Sequence, residues 1–183
     1  MRSNPEEYVP TVIRLEAKLR DWEESLPAAL VRGETGQSAS EGRAFALYAH
    51  TWTLEFRMLL RHPSKSTTND ANFNADSMRI CVESSRLMLG AMKELQKYKS
   101  LDPTWYQVAV YVMAITITLY DKLEKRSKIS VSELTALSDD INSWLSILDE
   151  IGTMIGELFV FPVMMSPDWP QVLAAKFATE FKA

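Results

Sequence analysis

Apolar residues recur at helical spacing through most of the chain, and no stretch alternates as a strand would. In the first block Val12, Leu15, Leu19, Trp22 and Leu26 follow a 3-4-3-4 rhythm that puts them on one stripe of a helix. The block begins at Pro5 or Pro10 and stops before Pro27, because the residue ahead of a proline avoids helical geometry. Ser38 and Glu41 have capping-box spacing and open a second helix, with Phe45, Tyr48, Trp52, Met58 and Leu59 toward the core and Pro63 as its stop. Residues 64–76 (SKSTTNDANFNAD) show no apolar period and read as an exposed loop. A third helix starts near Asp76 or Ser77, burying Met78, Val82, Ser85, Leu89, Met92 and Leu95, with Gly90 as a point of close approach. Ser130 and Glu133 repeat the capping box ahead of a helix striped by Leu134, Leu137, Ile141, Leu145 and Leu148, which extends toward Gly152.

Between these blocks lies Trp105 to Tyr120 (WYQVAVYVMAITITLY), in which thirteen of sixteen residues are apolar. Seven are β-branched, which favours a strand, but the run is two to three times longer than a usual strand of ~5–6 residues. Asp102 and Pro103 suit a helix entrance, and Lys122, Lys125 and Arg126 suit the negative end of a helix dipole. A helix apolar all round must be surrounded, and a membrane span needs roughly 20 apolar residues without a Gln107. The pattern therefore predicts an all-α fold: a single helical domain of about five to seven helices packed around a buried central helix at about 103–126. It places that domain at 1–157 and an irregular apolar segment with a short C-terminal helix at 158–183, docked on the domain.

Composition removes several functions. The 183 residues suit one domain with a substantial core. A net charge of −4 argues against a nucleic-acid surface, which needs a basic patch. One cysteine, Cys81, excludes an internal disulfide and a multi-cysteine zinc site. The polar, acidic start MRSNPEEYVP is unlike a signal peptide, so an intracellular location is expected.

No catalytic pattern emerges. Asp70, Asn72, Asn74 and Asp76 have calcium-loop spacing, but Ala75 replaces the turn glycine and Cys81 the bidentate glutamate. Asp139-Asp140 lacks a further carboxylate one turn on, where Ser143 and Trp144 stand. His50 and His62 have no partner at ligand spacing, and Cys81 reads as an inert buried thiol. The basic run Lys122–Lys128 is diluted by Glu124 and is explained by helix-end charge. The expectation is no enzyme, no metal and no cofactor in this chain. Trp105, Tyr106, Tyr111, Thr116 and Tyr120 are the candidate lining of an apolar ligand pocket, although packed aromatics and threonines bonded one turn back are the favoured explanation. Phe159, Phe161, Met164, Met165 and Trp169 gather apolar surface where prolines prevent regular helix, and are the candidate protein contact.

The order of blocks resembles the regulatory region of fungal zinc-cluster transcription factors. Leu15-x3-Leu19-x2-Trp22-x3-Leu26-Pro27 is similar to its L-x-x-W-x-x-x-L-P signature. Met58-Leu59-Leu60-Arg61-His62-Pro63 is similar to its L-L-h-x-P helix end, and Cys81-Val82-Glu83-Ser84-Ser85 to its C-x-x-x-A/S element. A hydrophobic helix after a proline follows, as at Pro103 to Tyr120. The resemblance implies the C-terminal part of a larger nuclear regulator, whose six-cysteine zinc cluster and DNA binding belong to a part outside this chain. This part would then control activity through other parts of the regulator, co-regulator proteins or a small-molecule inducer, without binding nucleic acid or membrane; a homodimer is compatible with that role. A metabolite-sensing domain with its pocket beside the central helix is the alternative, and an all-α enzyme ranks last.

Overall fold

A computed structural model of the chain describes residues 5–34, 38–62 and 68–155. Among them are six α-helices and no strand: α1 (Pro5–Ser25), α2 (Ala28–Val31), α3 (Ala39–Arg61), α4 (Ala71–Lys97), α5 (Trp105–Glu124) and α6 (Val131–Ile155). The all-α single domain is as the pattern predicts. The segment 158–183 and its candidate contact residues, Phe159, Phe161, Met164, Met165 and Trp169, lie outside the described residues.

Local chemistry fixes the helix ends. The Ser38 side chain accepts from the Glu41 N–H, and Ser130 and Glu133 exchange bonds at 2.8 and 3.3 Å as a closed capping box. α4 starts five residues earlier than the apolar period suggests. Asp70 caps it by accepting from Asn72 and Phe73 N–H, so half of the expected loop is helix. Phe73 stands edge-on to Tyr8 and beneath the Arg61 guanidinium, which gives this polar first turn something to pack on. The cap of α5 is Thr104 rather than Asp102; Asp102 instead accepts from the Thr104 N–H at 2.9 Å.

The packing is centred on α4, one helix earlier than the sequence suggests: α3, α5 and α6 all lie against it. Its small residues Ser77, Cys81, Ser84, Ser85 and Ala91 are buried, which lets neighbouring helices approach closely. Met58, Met88, Met92, Leu95, Tyr111 and Ile147 fill the space between, all at most 1% exposed. Polar bonds across the interfaces set direction. Arg61–Ser77 and Tyr48–Ser100 make α3 and α4 antiparallel, whereas Lys93–Asp140 and Gln96–Glu150 make α4 and α6 parallel. α1 lies on the other flank of α3, held by Arg57–Glu23 and Arg61–Glu16.

Three expected core positions are on the surface. Phe45, Trp52 and Leu59 are 44%, 56% and 42% exposed, while Ala44, Thr51, Leu54 and Met58 meet α4. These aromatics fall on the arc of α3 left between its α1 and α4 contacts. Trp22 is also on the surface, as is Gly90, whose missing side chain has no atom within 4 Å. Gly90 is therefore no close-approach point. α5, expected to be enclosed on all sides, buries Gln107, Val110, Tyr111, Ala114, Ile117, Thr118 and Asp121 on one face only.

Candidate functional site

The five residues predicted to line a pocket beside α5 do not converge. Tyr111 points into the core, fully buried, and its hydroxyl is without a hydrogen-bond partner among the described residues. Burial pushes that phenol well above its ordinary range. Trp105, Tyr106, Thr116 and Tyr120 lie on the exposed side of the same helix. The Thr116 and Thr118 hydroxyls donate to the carbonyls of Val112 and Ala114, both at 2.9 Å, which is the back-bonded packing role. The Tyr106 hydroxyl donates to the Glu55 carboxylate on α3, and that hydrogen bond, followed by burial and the carboxylate's charge, raises the phenol's pKa. Tyr120 borders an open groove between α4 and α5 shared with Met78, Val82 and Leu87.

A second cleft, open on one side, lies between α4, α5 and α6 and has a volume of about 370 Å³, against about 870 Å³ for the α4–α5 groove. Buried Trp144, with Leu89 and Leu137, forms its apolar floor, and Gly90 leaves its wall open where a side chain would intrude. Arg86, Lys93 and Lys122 stand around it against Glu133 and Asp140. The Lys93 ammonium is 2.7 Å from Asp140, and Arg86 is 3.2 Å from the buried Asp121. Glu133 is held below the usual carboxylate range by the Ser130 backbone and side-chain bonds, with Lys122 adding attraction. Each cation of the lining thus faces a carboxylate, and the cleft offers an apolar seat rimmed by paired charges. Trp144 carried no signal as a site residue, since its spacing on α6 is that of any core residue.

The second feature is an exposed aromatic face. Phe45, Trp52, Phe56 and Leu59 form a stripe along α3, each at least 40% exposed. Tyr106 joins it through Glu55, which lies one turn from both Trp52 and Leu59. Trp105, 70% exposed, meets Tyr106 edge-to-face with ring centroids 6.2 Å apart. Contiguous apolar surface of this kind marks an interaction site more often than lone exposed residues do. From the sequence Phe45, Trp52 and Leu59 read as core residues together with Met58, because apolar content alone does not tell which arc of a helix is covered.

The sequence's readings of single residues hold more closely. Cys81 is buried, its pKa raised to about 11 by desolvation, as expected of an inert thiol. Among the described residues no cluster of His, Cys, Asp and Glu is arranged to hold a metal, and no helix is long and apolar enough to cross a membrane. Comparison with family models, curated proteins and solved structures gives no match to this chain.

Proposed function

We propose that this chain is a regulatory domain of a transcription factor of the kind its motifs resemble, acting through contacts rather than through chemistry. The reading is supported by how the three motif segments meet. Glu16 from the first receives a fork from Arg61 of the second, at 2.6 and 2.5 Å. Arg61 also donates to Ser77, one turn before Cys81 of the third. The Cys81 thiol lies 3.8 Å from the Met58 carbonyl, and the Ser85 hydroxyl faces the Met58 sulfur at 3.1 Å. Residues far apart in sequence thus form one joint, which gives the motif order a physical reason. DNA recognition, zinc and nuclear residence belong in this reading to the rest of the regulator. The exposed aromatic face on α3 and α5 is the surface through which it would touch its partners.

The test is to fuse the chain to an unrelated DNA-binding module and measure a reporter in a fungal host. Regulation predicts that the fusion changes reporter output relative to the module alone, and that Trp52→Ser with Phe56→Ser reverses the change at equal protein level. An output identical to the module alone would refute it. A sensing role is favoured by the α4–α5–α6 cleft with its Trp144 floor and rim of paired charges. It predicts that a small metabolite with an apolar body raises the melting temperature, and that Gly90→Leu abolishes the rise by filling the cleft.

A further inference from the structure

The aromatic face of α3 and α5 leaves Phe45, Trp52, Phe56, Leu59, Trp105 and Tyr106 each at least 40% exposed, and α6 ends at the same end of the bundle as the start of α5. Near its end Glu150 accepts from Gln96 and Lys99, at 2.8 and 3.2 Å, which pins the last turns of α6 to the end of α4. The carbonyl of Ser100, at that corner, accepts from Tyr48 of α3, and α5 begins there with Trp105. Ile155 is five residues beyond Glu150, about 7 Å at 1.5 Å per helical residue. The chain therefore leaves α6 at the end of the bundle where α4 finishes and α5 begins, the end that also holds Tyr48 of α3.

We propose that Leu158–Trp169 of the same chain covers this face. The segment reads LFVFPVMMSPDW, with Asp168 its one charged residue. Left in water it would expose three large aromatic rings, and it meets a surface with the same need. From Gly156 to Trp169 an extended chain reaches at most ~46–50 Å, whereas the stripe from Phe45 to Leu59 is only ~21 Å long at 1.5 Å per residue. Prolines 162 and 167 suit an extended path, and methionines 164 and 165 adapt to the irregular relief of Trp52 and Phe56. The short tether favours this occupant over a free partner, because it holds the segment at a high effective concentration. A partner that takes the same face would compete with the segment for it. The inference rests on the exposed face and the chain's exit, and stands apart from the transcriptional reading.

Cross-linking of the full chain decides it. The native Cys81 is fully buried, so thiols placed on the surface react alone. Phe56→Cys with Met164→Cys, and independently Leu59→Cys with Phe161→Cys, are treated with a short bis-maleimide at low protein concentration. Asn142→Cys on the exposed face of α6 with Met164→Cys is the control pair. Docking predicts an intrachain link in at least one test pair, in roughly tenfold or more excess over the control. Circular dichroism on each variant confirms that it keeps its helices. Links between chains only would assign the face to a second copy and overturn the proposal. Test pairs that react no better than the control would also overturn it.

Discussion

Removing the Glu16 carboxylate should weaken the fold more than removing the Arg61 guanidinium it holds. The Arg61 side chain is 7% exposed and Glu16 25%, so the cation is the partner least able to find water. In Glu16→Leu the guanidinium keeps Ser77 at 3.2 Å, Asp76 at 3.8 Å and the Phe73 ring at 4.7 Å, but loses both short bonds of the fork. Breaking a buried pair costs roughly 3–5 kcal/mol, and the residual partners reduce this to about 2–3 kcal/mol. In Arg61→Met the stranded carboxylate turns outward, so the cost falls to about 1–2 kcal/mol. Replacing both should recover about 1 kcal/mol of the summed loss, because no charge is then left unpaired. Urea unfolding followed by circular dichroism measures all four proteins, and for a domain of this size the Glu16→Leu loss equals a drop of about 5–10 °C in Tm. A Glu16→Leu loss below about 0.5 kcal/mol, or costs that simply add in the double variant, would refute the claim that this fork joins α1 to the bundle.

Tyr111→Phe removes a buried hydroxyl that has no partner, so it should leave stability unchanged or raise it by up to about 1 kcal/mol in the same assay. Gly90→Ala adds a methyl group in open space within a helix and should stabilise by about 0.5–1 kcal/mol. Stability should fall as pH rises from 9 toward 11. The Cys81 thiol keeps its proton to about 11 when folded but loses it near 9.0 when unfolded, so the unfolded state binds fewer protons over that window. Tyr111, also raised by burial, extends the decline in the same direction, and a flat alkaline profile in denaturant titrations would contradict both assignments.

What the sequence made legible was local. Capping pairs such as Ser130 and Glu133 act within one turn, so their spacing is sufficient to read them. The buried stripe Val82, Ser85, Leu89, Met92 and Leu95 was legible because α4 is covered over a wide arc, which tolerates errors of phase. α3 has no such tolerance. Its small residues Ala44, Thr51 and Thr53 are buried where helices approach closely, and its large aromatics are left outside, which inverts the ranking by hydrophobicity. The start of α4 was missed because Asp70 caps a polar turn whose Phe73 packs on Tyr8 and Arg61, residues distant in sequence. The pocket set on α5 failed for a geometric reason: Tyr111 is roughly opposite Trp105 and Thr116 on a helix of 3.6 residues per turn, so no single cavity receives all three.

The most direct test of the regulatory reading is to sequence the transcript upstream of the codon for Met1. The account predicts an open reading frame that continues upstream in frame and encodes a six-cysteine zinc-cluster module joined to this domain. An in-frame stop codon immediately ahead of Met1, with no such module encoded, would contradict it.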